Sequence, residues 1–264
     1  MTKRFERIKR TGVRITARDL EIVRAVFEAR YMTVRQIARL LFRPTTFSSC
    51  KERLRRLYDL RYLEKRQTYI NEPDIYYLGF RGKRAIVAQG EYSKEHVDRT
   101  AGVSGGSAKA PVLMMAHELT LSRIYVNARL ECALYGWTLQ WRNTRTLELL
   151  RLGVEPDAWL RVSHGNRSLE AYLEFTAVMP TQAELRKKIE GYVTLWSSQP
   201  EATPVLWFTT SRSKVNLLLR AVAESEYGDY FLVGLVEDAG QFLSGRIWCW
   251  GESEGMIQWI KPPS

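Results

Sequence analysis

Cysteine, histidine and long apolar runs are all scarce in this chain of 264 residues. Cys50, Cys132 and Cys249 are scattered, odd in number and without C-x-x-C spacing, which excludes a disulfide framework and makes a reducing cytoplasm the expected compartment. His96, His117 and His164 have no i, i+4 or cysteine partners, so a zinc site is not expected. The longest apolar stretches, such as Phe231 to Val236, fall far short of the roughly 18 residues a membrane span needs. No membrane partner is expected. The basic start, Met1 to Arg10, runs into a charged amphipathic segment instead of a short apolar core with a cleavage site, so no secretory signal is read. Neither a G-x-S-x-G elbow nor a G-x-x-x-x-G-K-[ST] loop is present, and Gly105-Gly106-Ser107-Ala108-Lys109 lacks both that spacing and a preceding apolar strand.

Acidic residues are few where basic ones are many. Residues 1–90 hold 22 Lys plus Arg against 9 Asp plus Glu, a net charge of +13, whereas residues 91–264 hold 18 against 20, a net charge of −2. A near-neutral body carrying one strongly positive module is what polyanion binding requires. An anionic membrane surface is the weaker alternative, because the basic part lacks the long Trp- and Phe-bearing apolar face of an interfacial helix. Nucleic acid, DNA or RNA, is what the charge points to, and double-stranded DNA becomes the expected partner with the helix pattern that follows.

The basic module reads as three short helices. Thr16 and Asp19 open the first, with Leu20, Ile22, Val23, Val26 and Phe27 recurring at helical steps up to Arg30. After a tight turn, Thr33 and Gln36 form the capping box of a second, whose inner face is Val34, Ile37, Leu40 and Leu41 and which Pro44 stops. The third spans about Thr46 to Leu60, with Phe47, Cys50, Leu54 and Leu57 inward and Ser48, Ser49, Lys51, Glu52, Arg55 and Arg56 outward. Tyr62–Ile70 and Ile75–Leu78 are expected strands around a turn containing Asn71, Pro73 and Asp74, and Gly79–Ala88 a closing helix with Arg81, Lys83 and Arg84. This order predicts a winged helix-turn-helix over residues 1–90. In such a fold the third helix enters the major groove. Ser48, Ser49, Lys51, Arg55 and Arg56 are then the expected contacts on that helix, with Arg55 the leading base contact; Lys65, Arg66 and Tyr69 would meet phosphates from the wing, and Lys3, Arg4, Arg7, Lys9 and Arg10 from the tail.

Residues 91–111, small and aperiodic toward Pro111, read as a linker. From residue 112 to 264 helices and strands alternate. A helix carries Met114, Met115, Leu119, Leu121, Ile124 and Val126; strands are expected at Trp137–Trp141, Trp159–Ser163 and Leu169–Thr176, the last two joined by the turn His164-Gly165-Asn166-Arg167. A helix over Ala183–Leu195, a strand over Pro204–Thr209, a helix over Lys214–Ala223 and a strand over Tyr230–Leu235 follow, then edge strands near Arg246–Trp250 and Met256–Ile260. The fold class is α+β, with a mixed sheet flanked by helices in this second part.

Pro156-Asp157 begins one of these strands and Glu174 lies near the end of the next. Carboxylates on adjacent strands can share Mg²⁺ at a scissile phosphate while a lysine stabilises developing charge. The PD-(D/E)xK nucleases are built this way, and this domain resembles their core, although Thr176 stands where the lysine belongs. Lys187 or Lys188 on the following helix is the candidate replacement, and Glu118 a further carboxylate. Asp157, Glu174 and Lys188 are the catalytic candidates, with Asp157 and Glu174 as metal ligands, for an active site that would need Mg²⁺. A structural or vestigial centre requiring no cofactor is the leading expectation.

The fragments Ile15-Thr-Ala-Arg-Asp19, Met32-Thr-Val-Arg-Gln-Ile37, Arg53-Leu-Arg-Arg-Leu57, Tyr76-Tyr-Leu-Gly-Phe-Arg-Gly82, His117-Glu-Leu119, Glu155-Pro-Asp-Ala158, Leu173-Glu-Phe-Thr176 and Lys188-Ile-Glu-Gly-Tyr192 resemble, in order and spacing, the replication-relaxation family of bacterial mobile elements. The resemblance implies a winged-helix DNA binder fused to a nuclease-like domain and acting in plasmid replication, relaxation or transfer. Where family members resemble Glu-x-Asp on the second strand, this chain has Thr176 in place of the second acid. The leading expectation is a DNA-binding protein of a plasmid, phage or integrative element, acting in replication, relaxation or transcription control, with the second domain mediating assembly with a replication or transfer protein or another copy. Winged-helix readers of paired half-sites make a homodimer the expected form. The alternatives are a Mg²⁺-dependent DNA nickase and a winged-helix adaptor that binds protein.

Overall fold

The computed structural model describes residues 6–9, 14–66, 73–101, 112–143, 154–249 and 256–260. The chain is α+β and divides into two compact units, Met1–Val126 and Asn127–Ser264.

In the first unit, α1 (Ala17–Ala29) and α2 (Val34–Leu41) each start at a reciprocal cap: Thr16 accepts from the Asp19 N–H and Thr33 from the Gln36 N–H, while both partner side chains reach back. A 3₁₀ turn at Pro44–Thr46 leads into α3 (Phe47–Asp59). The inward faces bury Ile22, Val23, Phe27, Ile37, Cys50, Leu54 and Leu57. A small antiparallel sheet in the order β1-β3-β2 closes the group: β1 (Met32–Thr33), β2 (Leu63–Arg66) and β3 (Ile75–Leu78). β1 occupies what reads in sequence as a plain turn; Met32 pairs with Tyr76. Two residues carry no period, so only this long-range pairing makes them a strand. β2 stops at Arg66, and residues 67–72, with Tyr69 and Asn71, lie outside the described residues, as do Lys3, Arg4 and Arg10.

α4 (Phe80–Ala88) follows β3, and α5 (Lys94–Thr100) stands within the stretch read as a linker. Ser93 caps α5 by accepting from the His96 N–H, and Val97 and Ala101 join Val23, Phe27, Leu78 and Ile86 in one apolar cluster. The small-residue part of the linker, residues 102–111, is outside the described residues.

The division between units falls within α6 (Val112–Tyr135), whose start, residue 112, is the boundary read from sequence. Its polar side chains account for that position. Tyr125 donates to Glu28 at 2.6 Å, Ser122 to the Ala29 carbonyl at 3.2 Å, and Arg30 pairs with Glu118, all inside the first unit. Two residues after Tyr125, Asn127 donates to the Ala239 carbonyl at 2.7 Å, and Glu131, about one turn further, accepts from the Leu243 N–H at 3.0 Å, both inside the second.

The second unit is a seven-stranded mixed sheet in the order β10-β9-β8-β7-β6-β5-β4. Its strands are β4 (Thr138–Asn143), β5 (Ala158–His164), β6 (Arg167–Thr176), β7 (Val205–Thr209), β8 (Phe231–Leu235), β9 (Arg246–Cys249) and β10 (Met256–Gln258), with α7 (Gln182–Ser197) and α8 (Arg212–Ala223) between them. β6, β7 and β8 run parallel, each joined to the next by a helix, and the flanking pairs are antiparallel. The β5–β6 hairpin turns on Gly165, whose φ of 57° suits the first position of a two-residue II′-type loop. One face of the sheet packs α7 and α8 through Leu185, Ile189, Tyr192, Trp196, Val215 and Leu218 against Tyr172, Trp207 and Phe231. β7 and β8 are buried throughout, as parallel strands covered on both faces must be.

Candidate functional site: a buried carboxylate centre and a basic face

Asp157 precedes β5 and Glu174 sits on β6, and the register Ala158↔Leu173 sets the two nearly opposite each other. Asp157 Oδ2 accepts from the Phe175 N–H at 2.8 Å, extending the β5–β6 ladder with a side chain. Glu174 is entirely buried in the central part of the sheet. From α7, whose start Thr181 and Glu184 fix by a third capping box, Lys188 reaches down to Glu174 Oε2 at 2.5 Å. Tyr192, one turn further along the same face, donates to Glu174 Oε1 at 2.7 Å. Thr176, where the motif would have lysine, accepts the Trp207 indole N–H at 2.9 Å, and Lys188 Nζ lies 5.7 Å from that indole's centroid. The helix thus delivers the cation while the strand position holds a core tryptophan.

Burial pushes Glu174 up to about 7; Lys188 opposes that rise, and the neighbouring charge of Asp157 adds to it. Lys188 is raised: burial alone would lower it, but Glu174 and Asp157 outweigh that. Burial also raises Tyr192 well above the ordinary phenol range.

Mg²⁺ needs near-octahedral oxygens at about 2.0–2.1 Å. Both Glu174 oxygens here accept one protein donor each and Asp157 Oδ2 accepts a backbone N–H, so a cation shared by the two carboxylates would take their remaining lone pairs and would have to displace or sit beside the Lys188 ammonium. Among the described residues no group of three or more His, Cys, Asp or Glu side chains is placed to hold a metal. Glu118, expected as an extra carboxylate, is engaged by Arg30 within the first unit. Lys187, the other lysine considered, is exposed on α7; His164 is exposed at the hairpin turn, and His96 stacks on Tyr92 at 5.0 Å. Tyr192 stands in the sequence only as the end of the family fragment Lys188-Ile-Glu-Gly-Tyr192 and was not a site candidate, although its i, i+4 spacing from Lys188 was visible.

The cationic residues of the first unit fall into two sets. Ser48, Ser49 and Lys51 are exposed along the front half of α3. Arg35 and Arg39 on α2 and Arg43 before the 3₁₀ turn are exposed as well; they were not among the residues singled out in sequence. The second set is committed to internal partners. Arg55, read as the leading base contact, pairs with Asp59 at 3.1 Å, donates to the Glu6 carbonyl and lies over the Tyr58 ring. Arg56 donates to the Arg14 carbonyl. Lys65 pairs with Asp74 at 3.1 Å with only 6% of its side chain exposed, and Arg7 pairs with Glu64. Arg66 is half-buried at the end of β2, and Lys9 is exposed. The i, i+4 spacing of Arg55 and Asp59 was the available signal that this guanidinium had a local partner.

A basic helical unit with a three-stranded sheet, followed by a mixed-sheet unit holding a buried acid–lysine cluster, defines a two-unit α+β protein. The replication-relaxation family profile matches residues 23–206, from α1 into β7, and the chain belongs to that family. Neither the curated proteins nor the solved structures gave a match. No helix among the described residues is long and apolar enough to cross a membrane.

Proposed function

We propose that the first unit is a winged helix that binds double-stranded DNA through the front half of α3, and that the second is a nuclease-like fold whose acid–lysine cluster is structural and which serves assembly. In this reading the protein acts on the DNA of a plasmid, phage or integrative element, in replication, relaxation, transfer or transcription control. The observation that carries it is the exposed group Arg35, Arg39, Arg43, Ser48, Ser49 and Lys51, within a third of the chain bearing +13. Arginines around a helix start supply phosphate contacts, and small hydroxyl side chains let the helix approach base edges. Arg55 and Lys65 are reassigned to holding α3 and the β2–β3 hairpin in place.

The test is fluorescence anisotropy of a labelled 30-base-pair duplex between about 50 and 200 mM salt. Replacing Arg39, Arg43 and Lys51 together by Ala is expected to weaken binding at least tenfold and to reduce the log–log salt slope by about 2 to 3, close to 0.9 for each phosphate no longer neutralised. Unchanged affinity and slope would sink the DNA reading and leave the protein-binding adaptor.

The convergence of Asp157, Glu174 and Lys188 is the observation favouring the second reading, a Mg²⁺-dependent nickase. The engagement of both Glu174 oxygens by Lys188 and Tyr192 supports the structural one. Incubation of supercoiled plasmid with the protein and Mg²⁺ or Mn²⁺ is expected to leave it supercoiled. Metal-dependent nicking that disappears in Asp157→Ala would establish the enzyme instead.

A further inference from the structure

Phe80, the first residue of α4, is 64% exposed, the most exposed aromatic ring among the described residues. The Arg84 guanidinium lies 6.0 Å from the Phe80 ring; Arg81, the next residue, is exposed with its guanidinium 5.2 Å from the Tyr62 ring, and Arg61, whose carbonyl accepts the Arg81 N–H, is exposed as well. Lys83, the remaining cation of α4, is engaged by Asp98 at 3.3 Å.

The backbone beneath is tightly fixed. Gly79 donates to the Tyr62 carbonyl at 2.8 Å and Arg81 to the Arg61 carbonyl at 2.9 Å, so the turn after α3 and the start of α4 are bonded together. Arg61 holds a φ of 62° in that turn, and a Cβ on Gly79 would lie 2.6 Å from the Arg61 oxygen. Such bonding leaves Phe80 little freedom to fold back onto the core. An exposed ring on a fixed backbone, with one guanidinium beside it and two more exposed arginines on the adjoining segments, has the composition of a platform on which an unpaired base stacks while arginines hold the adjoining phosphates.

We propose that Phe80, with Arg61, Arg81 and Arg84, binds single-stranded DNA by base stacking, at a surface separate from the front half of α3. The chemistry recognised is an unpaired base with its flanking phosphodiesters. α3 rises about 1.5 Å per residue, so its start, with Ser48, and its end, next to Arg61, are some 18 Å apart. Duplex and single strand therefore meet different ends of the same helix. Charge complementarity argues for this occupant; an apolar protein partner would gain nothing from the exposed Arg84 beside the ring or from the exposed Arg61 and Arg81 on the adjoining backbone.

Labelled oligothymidine of about 20 residues, titrated with the full chain, tests this with Phe80→Ala, Phe80→Trp and the Arg81→Ala/Arg84→Ala pair. Phe80→Ala is expected to weaken binding about 5- to 100-fold, the range for loss of one base–aromatic stack. Phe80→Trp is expected to bind as wild type does, with its fluorescence quenched by the stacked base, and the arginine pair to weaken binding and flatten its salt dependence. Because Phe80 is exposed, Phe80→Ala should melt at the wild-type temperature, so lost binding is not lost folding. Unchanged oligothymidine affinity in Phe80→Ala, or no quenching in a tryptophan variant that binds, would overturn the proposal. Duplex binding with no oligothymidine binding would remove this surface and keep the α3 reading; Phe80-dependent oligothymidine binding without duplex binding would do the reverse.

Discussion

Lys188→Met is expected to lower the unfolding free energy of the second unit by about 3 kcal/mol at pH 8 and by only about 1 kcal/mol at pH 5. The cost follows from what Lys188 leaves behind. Glu174 is fully buried, and without the ammonium its Oε2 loses its charged donor, with Tyr192 alone remaining on Oε1. Removing one member of a wholly buried pair costs about 3–5 kcal/mol; the lower figure applies because about a third of the Lys188 side chain reaches solvent. At pH 5, below the raised Glu174 value of about 7, the carboxyl is already protonated and the lysine contributes little more than a hydrogen bond. Urea midpoints at the two pH values measure the difference. An equal loss at both would mean that Glu174 is not the group the lysine neutralises.

The same geometry fixes the sign of a pH dependence in the wild-type protein. Glu174 holds its proton more tightly folded, at about 7, than unfolded, near 4.5. Its favourable contribution is therefore complete below about pH 4.5 and lost as pH rises through 7, by up to roughly 3 kcal/mol. Glu174→Gln should remove that decline, since an amide accepts from Lys188 or Tyr192 without titrating. Glu174→Gln combined with Lys188→Met should cost less than Lys188→Met alone at pH 8, as no carboxylate remains to be stranded. A catalytic rather than structural cluster would instead show small stability effects alongside loss of metal-dependent nicking.

Local signals carried most of what sequence revealed, and long-range ones were hidden. Thr16 with Asp19 and Thr33 with Gln36 were legible as helix starts because a capping box is complete within four residues. The strand Met32–Thr33 was not, because its only evidence is pairing with Ile75 and Tyr76 far along the chain. Helix α5 escaped because seven residues with one buried apolar side chain, Val97, carry no usable period. At the carboxylate centre, Asp157 and Glu174 could be set on neighbouring strands from alternation alone. Which lysine would reach them depended on the rotation of α7, and the structure brings Lys188 in and leaves Lys187 outside. The basic face was the least legible part. Net charge located it in the first third, but the division between exposed Arg39, Arg43 and Lys51 and internally bound Arg55, Arg56 and Lys65 follows from where Asp59, Asp74 and the Arg14 carbonyl fall in space.

Gly82→Ala is expected to destabilise the first unit by about 3 kcal/mol or more, against the direction helix propensity alone would give. Within α4, alanine in place of glycine should gain close to 1 kcal/mol. Space decides otherwise. A Cβ at Gly82 would lie 2.2 Å from the Tyr62 carbonyl oxygen and 2.9 Å from Leu78 Cδ1. The nearer of these is backbone, tied at that same oxygen to the Gly79 N–H, so relief requires α4 to move away from β2 and β3. Overpacking of a well-filled site costs about 1–3 kcal/mol when side chains can yield, and more when backbone must. Gly90→Ala is the matched control: its surroundings are open, but its φ of 82° makes alanine strained by about 1–2 kcal/mol. Thermal melts should therefore rank Gly82→Ala well below Gly90→Ala, and the reverse order would show that α4 does not rest on the Tyr62 backbone. Because that packing also sets the direction of Phe80, Gly82→Ala should weaken oligothymidine binding under conditions where the variant is still folded, although the ring and all three arginines remain in the chain.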